Sequence, residues 1–359
     1  MLQRVAIIYL AYNSRPYLEE VTASVEKLNY PKEKIDFIIV DNDSPDKSAE
    51  MVREFVLPKS GKSLPKVTFF PNPVNEGFAA GNNIGIEHAL LDGSDYIFLL
   101  NNDAKFHPDA LKEAVERAES DASIGSVQSL MLLWQDEGIV NSTGGMVHFL
   151  GFGFVRHNGR RVEEITVLDG EEIAYASGAA VLYRASVLRE VGLLDPELFL
   201  YHEDLELGWR IRLHGFRNVL SKTSIVYHKY EFKRSIQKFY WMERNRVLVH
   251  FSHLKWPTLF LILPFLVVIE AFLLLFAIKG GWIKEKLFVY ASLLSPKWWA
   301  YVWEKRKTSR RLRRVPDKEI VRLFTGKIAH QETRNLLVQA IGNPFFIVVW
   351  WILKKMIVW

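Results

Sequence analysis

The sequence predicts an α/β fold, a mostly parallel β-sheet with flanking helices, followed by a C-terminal helical region that associates with a membrane. Over residues 1–230, short apolar runs alternate with segments of helical spacing. This alternation is typical of βαβ units. From about residue 231 the composition changes, and residues 257–278 form a stretch of 22 residues with one charge, Glu270. That length meets the requirement of a membrane-spanning helix.

The elements of the first half follow one another in a regular order. The apolar runs are too short to be helices, whereas the segments between them have helical periodicity. The predicted strands are 5–10, 35–40, 67–70 and 96–100, and the predicted helices are 17–28, 48–56 and 79–90. We read the first run as a strand and not as a signal peptide, because it is short and polar residues follow it. This interpretation leaves the N-terminal end in the cytoplasm.

Polar side chains follow all four predicted strands. They are Tyr12 and Asn13, Asp41 and Asn42, Asn75, and the run Asn101, Asn102 and Asp103. A single polar strand end is ordinary turn chemistry. Ligands of open α/β sheets bind beyond the carboxyl ends of the strands, so four such ends in register predict one binding crevice.

The overall charge does not indicate a nucleic-acid partner. The 46 basic and 41 acidic residues give a net charge of +5, and they are mixed through most of the chain. Residues 305–314 hold seven Lys or Arg in ten positions, a run more typical of a solvated or membrane-surface segment than of a nucleic-acid arm. The chain contains no cysteine, which excludes disulfides and thiolate chemistry and fits a reducing compartment.

The absence of two glycine-rich motifs limits the ways in which the predicted crevice can bind a nucleotide. The glycines of "GFAAGNNIG" are spaced four apart, unlike the G-x-G-x-x-G of dinucleotide-binding folds, and the sequence has no G-x-x-x-x-G-K-[ST] loop. A nucleotide would therefore be held by side chains and a metal ion. Asn101, Asn102 and Asp103 offer hard oxygen ligands of the kind that hold Mg²⁺ or Mn²⁺ together with substrate phosphates.

A second polar cluster lies at the start of a predicted helix. His202, Glu203, Asp204 and Glu206 precede an apolar stripe of Leu205, Trp209 and Leu213. Acidic residues in a first turn are favoured by the helix dipole alone. Because Glu203 and Asp204 point to different faces, one can pair with Arg210 or Arg212 while the other faces the crevice as a general base. His228 ends a later strand, where an imidazole can serve structure or bind a cation.

These motifs together resemble the inverting family 2 glycosyltransferases of GT-A fold, especially the rhamnosyltransferase-like branch. The similar segments are "AYNS", "FIIVDNDS", "NEGFAAGNNIG", "LLNND", "SGAAVLYR", "GLLDPELFLYHEDLELGWR" and the late His228. They occur in this order with sensible spacing over about residues 4–230. The resemblance implies a Rossmann-like sheet and transfer of a sugar from a nucleotide-sugar donor.

The resemblance also implies roles for individual residues. Asp41 would recognise the nucleobase, and the nucleotide site would be lined by Ala11, Tyr12, Asn75, Gly81 and Asn102. Asp103 would ligate the Mg²⁺ or Mn²⁺ ion, with Asn101 and His228 completing the metal or diphosphate site. Asp204 would deprotonate the acceptor hydroxyl. Arg210 and Arg244 are weaker candidates for contacts to the acceptor or the diphosphate.

Three features of the sequence bear on these roles. The metal motif reads Asn-Asn-Asp, so an amide replaces its first carboxylate and a weaker or more transient metal is expected. Glu206 stands where the family has a second Asp, so Glu203 stays open as the base. The sequence lacks the Q-x-x-R-W of processive synthases, which favours transfer of a single sugar. Arg244 and Arg246 can contact an acceptor phosphate or simply lie at the membrane surface.

The predicted domains are a GT-A catalytic domain at 1–230, an amphipathic connector at 231–256, a membrane segment at 257–278 and a basic, aromatic, membrane-associated region at 279–359. Residues 336–353 are a weaker second span. Nucleotide sugars are cytosolic, so the catalytic domain should face the cytoplasm at the cell membrane. The positive-inside tendency then places 305–314 on the same side. Either 287–303 returns through the bilayer, or 257–278 dips in without crossing.

The partners expected are a nucleotide-diphosphate sugar, a lipid-linked or glycan acceptor and membrane lipids, with no nucleic acid. Three alternatives stay open at this point. They are a nucleotidyltransferase acting on sugar phosphates, a non-catalytic nucleotide-binding module, and a nucleic-acid binder that uses residues 305–314.

Overall fold

The structure is a computed structural model that describes residues 2–230, 236–328 and 338–359. Strands dominate its first part and helices its last. The strands are β1 Val5–Ala11, β2 Ile35–Asn42, β3 Lys66–Asn72, β4 Tyr96–Leu100, β5 Ala104–Phe106, β6 Ile124–Leu133, β7 Asp136–Ser142, β8 Gly145–His148, β9 Gly153–Val155, β10 Glu172–Ile173, β11 Ala180–Arg184, β12 Arg217–His228 and β13 Phe324–Thr325. The helices are α1 Leu18–Glu26, α2 Ser48–Met51, α3 Gly77–Leu91, α4 Ala110–Glu119, α5 Ala185–Val191, α6 Glu203–Leu213, α7 Ile236–His253, α8 Trp256–Gly280, α9 Ile283–Leu293, α10 Pro296–Leu312, α11 Asp317–Val321 and α12 Asn343–Met356.

The central sheet is mixed, with its first four strands parallel. Among the described residues its order is β10-β12-β6-β11-β4-β1-β2-β3, while β5 pairs with β12 and β7 with β6. The predicted α/β fold with flanking helices is confirmed. The antiparallel strand β11, between β4 and β6, was not anticipated, because a long irregular segment rather than a helix precedes it and the βαβ pattern ends there.

The predicted elements of the first half agree closely with the observed ones. The helix predicted at 79–90 begins two residues earlier, at Gly77. The segment predicted at 48–56 is helical only to Met51, after which a π turn and a 3₁₀ turn extend it to Lys59. Gly77 has φ +80°, and a Cβ there would lie 2.5 Å from the Phe199 ring. Glycine is therefore required where α3 starts.

Both faces of the sheet are covered. Along β1, Ile7 and Tyr9 pack in one apolar cluster, and Ile8 and Leu10 pack in another on the opposite face. This is why the strands read as continuous apolar runs rather than as alternating patterns. The carboxyl edge of the parallel strands is the open side, and it carries the polar residues described below.

The C-terminal helices form a second apolar cluster together with α6 and the small sheet β13-β8-β9. Helix α8 is the one helix in the described ranges that is long and apolar enough to cross a membrane. One of its faces, with Leu259, Ile262 and Leu266, packs into this cluster, whereas Phe260, Val267, Phe272 and Leu275 on the other face are exposed. A helix half-buried along one face and apolar on the other needs a further apolar partner.

A buried ionic network joins three of these helices. Glu243 of α7 pairs with Arg246 at 3.0 Å and with Lys286 of α9 at 2.5 Å. Lys286 also lies 2.7 Å from Glu270 of α8, which in turn contacts Arg246. The single charge of the long apolar segment is thus neutralised by two cations, and this pairing fixes the middle of α8 against its neighbours.

Of the expectations about membrane crossing, one alternative is wrong and one candidate span stays a prediction. Residues 287–303 do not form one span, because α9 ends at Leu293 and α10 starts at Pro296. The second candidate, 336–353, is helical from Val338, where a π turn continues into α12 at Asn343; residues 336–337 lie outside the described ranges. This candidate span stays a prediction.

The basic run lies on α10 and contacts the N-terminal domain. Arg314 N donates to Leu213 O of α6 at 2.7 Å, and His214 Nδ1 lies 2.9 Å from Leu312 O. Residues 305–314 therefore lie next to the first domain; the expectation that both lie on the same side of a membrane stays a prediction. Ser309 itself is buried, with its hydroxyl 2.6 Å from His253 Nδ1.

The ionic network predicts the cost of removing its buried lysine. Lys286→Ala leaves Glu243 and Glu270 sharing one cation, so we expect the free energy of unfolding to fall by about 3–5 kcal/mol. Chemical denaturation in mild detergent measures this loss. Lys284→Ala, an exposed position on the same helix, is the matched control and should change stability by less than about 0.5 kcal/mol. If the two variants lowered the free energy of unfolding equally, the proposed contribution of the ionic network to stability would be contradicted.

Candidate functional site

The polar strand ends converge on one edge of the sheet, as predicted. In the parallel register Ala11 lies beside Asp41, and β4 ends one residue before Asn101. Ala11 is fully buried, so it contributes backbone to the crevice. Tyr12 is 40% exposed, and its carbonyl oxygen accepts a hydrogen bond of 2.6 Å from Asn102 Nδ2. The loops after β1 and β4 are therefore tied together at the mouth of the sheet.

The Asp41 side chain is buried, and one of its carboxylate oxygens accepts no hydrogen bond from the described residues. The side chain is 4% exposed, and its Oδ2 accepts a long hydrogen bond from Ser44 N at 3.4 Å. Its Oδ1 has no hydrogen-bond partner among the described residues. Burial raises the pKa of the Asp41 carboxyl above its usual value. A buried acceptor without a partner is costly, and an N–H of a bound ligand such as a nucleobase would satisfy it.

Asn42 organises the neighbouring loop. Its Nδ2 donates to Asn75 Oδ1 at 3.0 Å and to Gly77 O at 3.1 Å, and its Oδ1 accepts from Glu76 N at 3.1 Å. Asn75 Oδ1 also accepts from Gly77 N. The oxygen of Asn75 is therefore committed to the start of α3, and only its amide nitrogen remains for a ligand. Sequence reasoning noted Asn42 but gave it no role.

Gly81 acts through packing rather than through a lining contact. It is buried in α3, and a Cβ at this position would lie 2.7 Å from Leu10 Cδ1 and 3.2 Å from Asn42 Nδ2. Its missing side chain lets α3 approach β1 and keeps the Asn42 amide in place. The expectation that Gly81 lines the nucleotide site is replaced by this indirect role.

Asp103 and His228 lie together, as predicted. Asp103 Oδ1 is 3.1 Å from His228 Nε2, and Asn101 Nδ2 is 3.4 Å from the same nitrogen. The other ring nitrogen, Nδ1, lies 3.0 Å from Asn141 Oδ1. If Nδ1–H donates to Asn141, the lone pair of Nε2 faces a carboxylate oxygen, and a cation between them would relieve that contact. Asn141 supports the site from β7, a strand with no sequence signal for it.

The donor set fits a cation that is completed by its substrate. Among the described residues, no group of three or more His, Asp or Glu could hold a metal ion by itself. Asp103 and His228 supply two ligands, and the Asn101 amide carries an oxygen nearby. Mg²⁺ is commonly held by one or two carboxylates together with substrate phosphates. The residues present therefore fit Mg²⁺ or Mn²⁺ bound with a diphosphate.

A short chain of hydrogen bonds links Asp204 to the end of β4. Its Oδ2 accepts from Gly178 N at 3.1 Å and its Oδ1 from Leu205 N at 2.7 Å. The next residue, Ala179, accepts a hydrogen bond from Asn101 N at 3.0 Å through its carbonyl oxygen. Strand β11 thus joins the acidic pair to the end of β4. Gly178, which holds Asp204, was missed as a functional position, although it lies in the quoted "SGA" motif.

The two members of the acidic pair differ in exposure. Asp204 keeps part of its surface open, whereas Glu203 is 6% exposed and its Oε2 has no hydrogen-bond partner among the described residues. Burial raises the pKa of both carboxyls, and the charge of Asp204 raises that of Glu203 further. Geometry therefore favours Asp204 as the group that contacts a ligand. Neither residue pairs with Arg210 or Arg212.

Arg210 does not reach the crevice. Its guanidinium pairs with Glu206 at 2.6 Å and donates to the carbonyl oxygens of Val191 and Leu193. His253 Nε2 lies 2.9 Å from Glu206 on the other side. The Arg210 guanidinium, together with the hydrogen bond from His253, holds the pKa of Glu206 well below its usual value. The expectation that Arg210 contacts acceptor or diphosphate is replaced by a structural role, because its donors are used within the fold.

Arg244 lies on α7 against the segment before α6. Its Nη1 donates to Glu197 O at 2.9 Å, and its Nη2 pairs with the Glu197 carboxylate. It lines a cavity of about 240 Å³ together with Tyr240, Lys297 and Trp298. Arg246 is buried in the ionic network described above. Arg244 therefore keeps access to a cavity that it shares with Glu197, whereas Arg246 is buried and has no surface role.

The backbone before α6 is strained. Phe199, Tyr201 and His202 have φ values of 52°, 67° and 69°, each at a cost of about 1–3 kcal/mol for residues other than glycine. Phe199 O accepts from Phe78 N at 2.7 Å, so the strained segment rests on the start of α3. This contact brings the acidic pair next to the loop that Asn42 organises.

Comparisons with known proteins agree with this geometry. The family model described as Glycosyl transferase family 2 matches residues 6–192. The chain is 24% identical over 246 residues to N-acetylglucosaminyl-diphospho-decaprenol L-rhamnosyltransferase of Mycobacterium tuberculosis, covering 62% of this chain and 75% of that protein. It is also 24% identical over 222 residues to the low-salt glycan biosynthesis hexosyltransferase Agl10 of Haloferax volcanii, covering 59% and 62%.

Solved structures share the fold. GalNAc-T7 with UDP, GalNAc and Mn²⁺ superposes with a TM-score of 0.61 at 18% identity, covering 87% of this chain and 54% of that one. The mannosyltransferase PcManGT from Pyrobaculum calidifontis, in complex with GDP-Man and Mn²⁺, superposes with a TM-score of 0.52 at 14% identity, covering 99% and 87%. The chain thus spans about half of GalNAc-T7.

The metal site makes a direct prediction. Asp103→Ala removes the one carboxylate that contacts His228 Nε2 within residues 2–230, 236–328 and 338–359, and its amide neighbours cannot replace the charge. We expect the affinity for a nucleoside diphosphate with Mn²⁺ to fall at least about tenfold, the loss that one missing metal-ligand contact typically gives. Calorimetry with UDP, dTDP and GDP in turn, each with Mn²⁺, measures this. Asp109→Ala, a half-exposed carboxylate that precedes α4 and pairs with Asn29 and His107 instead of His228, is the control. Unchanged affinity in Asp103→Ala would remove this residue from the site.

Proposed function

Because the chain belongs to the family 2 glycosyltransferases, we propose that it transfers one sugar from a nucleotide-sugar donor to an acceptor hydroxyl, with inversion at the anomeric carbon. One observation carries the proposal. Asp41, with its unused acceptor, and the Asp103–His228 pair lie at neighbouring strand ends, and hydrogen bonds through Gly178 and Ala179 link the partly open Asp204 to the second of these ends. These are the groups needed for a nucleobase, a diphosphate with its cation, and a hydroxyl.

The donor lies across the ends of β1, β2 and β4. Asp41 accepts an N–H of the nucleobase, and Tyr12, with the Asn75 amide nitrogen, borders the nucleoside. Asp103, His228 and Asn101 are the residues that would hold a Mg²⁺ or Mn²⁺ ion together with the diphosphate. When bound, the ion supplies Lewis-acid stabilisation of the leaving diphosphate. Asn102 ties the loops after β1 and β4 and so keeps these groups at fixed separations.

Asp204 acts as the general base. Its two oxygens accept hydrogen bonds from Gly178 N and Leu205 N, which orient the carboxylate towards the open side. It takes the proton from the acceptor hydroxyl as that oxygen attacks the anomeric carbon from the face opposite the diphosphate. One displacement inverts the configuration. Glu203 is buried, and its Oε2 has no hydrogen-bond partner in the described part of the chain, so it is not placed to take the proton from the acceptor.

The acceptor is carried by a lipid. The mycobacterial relative is named for a diphospho-decaprenol substrate, and the apolar face of α8 supports a membrane location for this chain. Both ends of α8 are held on the protein: Thr258 donates to Asp317 at 2.6 Å, and the Phe276 ring contacts Trp282 at 5.9 Å. Such a helix lies along the cytoplasmic membrane face with its apolar side in the lipid.

A screen of donors tests the proposed reaction. Thermal shifts with UDP-, dTDP- and GDP-sugars in the presence of Mn²⁺ identify the donor, and incubation with a polyprenyl-diphosphate glycan then tests transfer. Release of a nucleoside diphosphate, together with a product of inverted anomeric configuration by NMR, is the expected result. Release of pyrophosphate would instead identify a nucleotidyltransferase. Donor binding without turnover would identify a non-catalytic module.

The acidic pair predicts different outcomes for its two members. Asp204→Asn keeps the shape of the side chain and removes the base, so we expect unchanged donor affinity and a turnover lowered by a factor on the order of 10²–10⁴. Glu203→Gln is the matched control at the adjacent position and should keep most of the turnover. The opposite pattern would make Glu203 the base.

The direction of the Asp204 pKa predicts the pH dependence. Burial raises this pKa above its usual value, and the base works only when deprotonated. Turnover should therefore be highest at neutral to alkaline pH and should fall as the pH drops through the raised pKa, at a higher pH than an ordinary aspartate gives. A pH profile of kcat at saturating donor and metal measures this limb. If kcat of the wild-type enzyme did not fall at low pH, or if kcat of Asp204→Asn fell in the same way, the assignment of Asp204 as the base would be contradicted.

A further inference from the structure

A basic cavity lies at the edge of the apolar face, away from the acidic pair. It has a volume of about 270 Å³ and lies between the end of α7, the start of α8 and the middle of α10. Its charged lining consists of Lys255, Arg306, Arg310 and Arg313. Among the described residues, the carboxylate that contacts this group is Asp317, which lies 2.7 Å from Arg313 Nη1. The cavity therefore has an excess of positive charge.

Two of the arginines are held in fixed positions. Arg306 Nη1 donates to Leu254 O at 2.9 Å, and its guanidinium lies 4.1 Å from the centre of the Trp256 ring. Arg313 donates to the carbonyl oxygen of His253 and to Asp317. These contacts use part of each guanidinium fork and fix its plane. A preorganised fork suits the oxygens of a phosphate, and Arg310 lies exposed beside them.

The surroundings indicate a ligand with an apolar tail. The Trp256 ring lies 6.2 Å from Phe260, the first exposed apolar residue of α8, and 5.8 Å from Trp303, which is half-exposed. Tryptophan favours the level of the lipid headgroups. A phosphate in the cavity would thus be continuous with an acyl chain along Phe260 and Leu263. Free inorganic phosphate would contact the arginines but not the apolar edge formed by Trp256 and Phe260.

We propose that this cavity binds the phosphate of an anionic phospholipid headgroup and so anchors the start of α8 at the membrane surface. Arg306 and Arg313 orient the phosphate, Arg310 closes on it from the open side, and Trp256 covers its glycerol end. This binding is independent of the sugar-transfer reaction, so the two can be tested separately. Residues 305–314 would attract anionic lipid non-specifically through their charge, whereas this cavity would bind one headgroup at a defined site.

Adjacent arginines provide a matched test. Arg310 lines the cavity, whereas Arg311, the next residue of α10, is equally exposed but does not line it. We expect R310Q in the full chain to lower partitioning onto phosphatidylcholine vesicles that contain phosphatidylglycerol by about tenfold or more. R311Q should cost at most about fivefold, the effect of one delocalised charge. Vesicle flotation measures both, and pure phosphatidylcholine should not distinguish the variants.

Two further measurements keep the test decisive. R306K keeps the charge but loses the fork, and it should lose affinity for the phosphatidylglycerol vesicles while its thermal midpoint stays close to that of wild type. Short-chain phosphatidylglycerol should raise the thermal midpoint of the wild-type protein but not of R310Q. Equal losses in R310Q and R311Q would reduce the run to general electrostatics and overturn the proposal. Stabilisation by inorganic phosphate as strong as that by the lipid would assign the cavity to a free anion instead.

Discussion

The antiparallel pairing of β11 with β4 is the contact on which the rest of the site depends. Ala180 pairs with Leu100 and Arg184 with Tyr96, and the pairing continues as Asn101 N donates to Ala179 O. It places Gly178, and through it Asp204, beside the strand end that carries Asp103. Residues 75 to 100 positions apart in sequence thereby become parts of one crevice. A shift of this register by one residue would turn the side chains of β11 to the opposite face.

The buried charges of the protein fall into two groups with different consequences. Glu243 contacts two cations, and Glu206 contacts Arg210 and a hydrogen-bonding histidine, His253; these partners hold both pKa values well below the usual range. These carboxylates stay charged and join elements. Asp41, Glu203 and Asp204 have no such cation, and burial raises their pKa values. Groups of this second kind are costly in the free protein, and they all lie at the candidate site.

The C-terminal helices are part of the same body as the first domain. Trp209 of α6 packs with His250 and His253 of α7 and with Phe324 of β13. The helix that carries the candidate base therefore also packs against the C-terminal helices. We infer that lipid contact and acceptor position are related through α6, because a tilt of α8 or α10 would have to be accommodated by this packing.

The sequence by itself determined the first four strands, their helices and the polar residues at the strand ends, because these signals are local: apolar runs, helical spacing and turn chemistry. It also gave Asp103, His228 and Asp204 their proposed roles through the family motifs. Tertiary structure decided what depends on partners distant in the chain. Arg210 lies inside the fold, because Glu206 and two backbone carbonyl groups accept its hydrogen bonds. Asn141 contacts His228, because β7 pairs with β6. Hydropathy measured the length of α8 but could not tell which face the protein would bury, since that depends on residues more than a hundred positions away, such as Phe149.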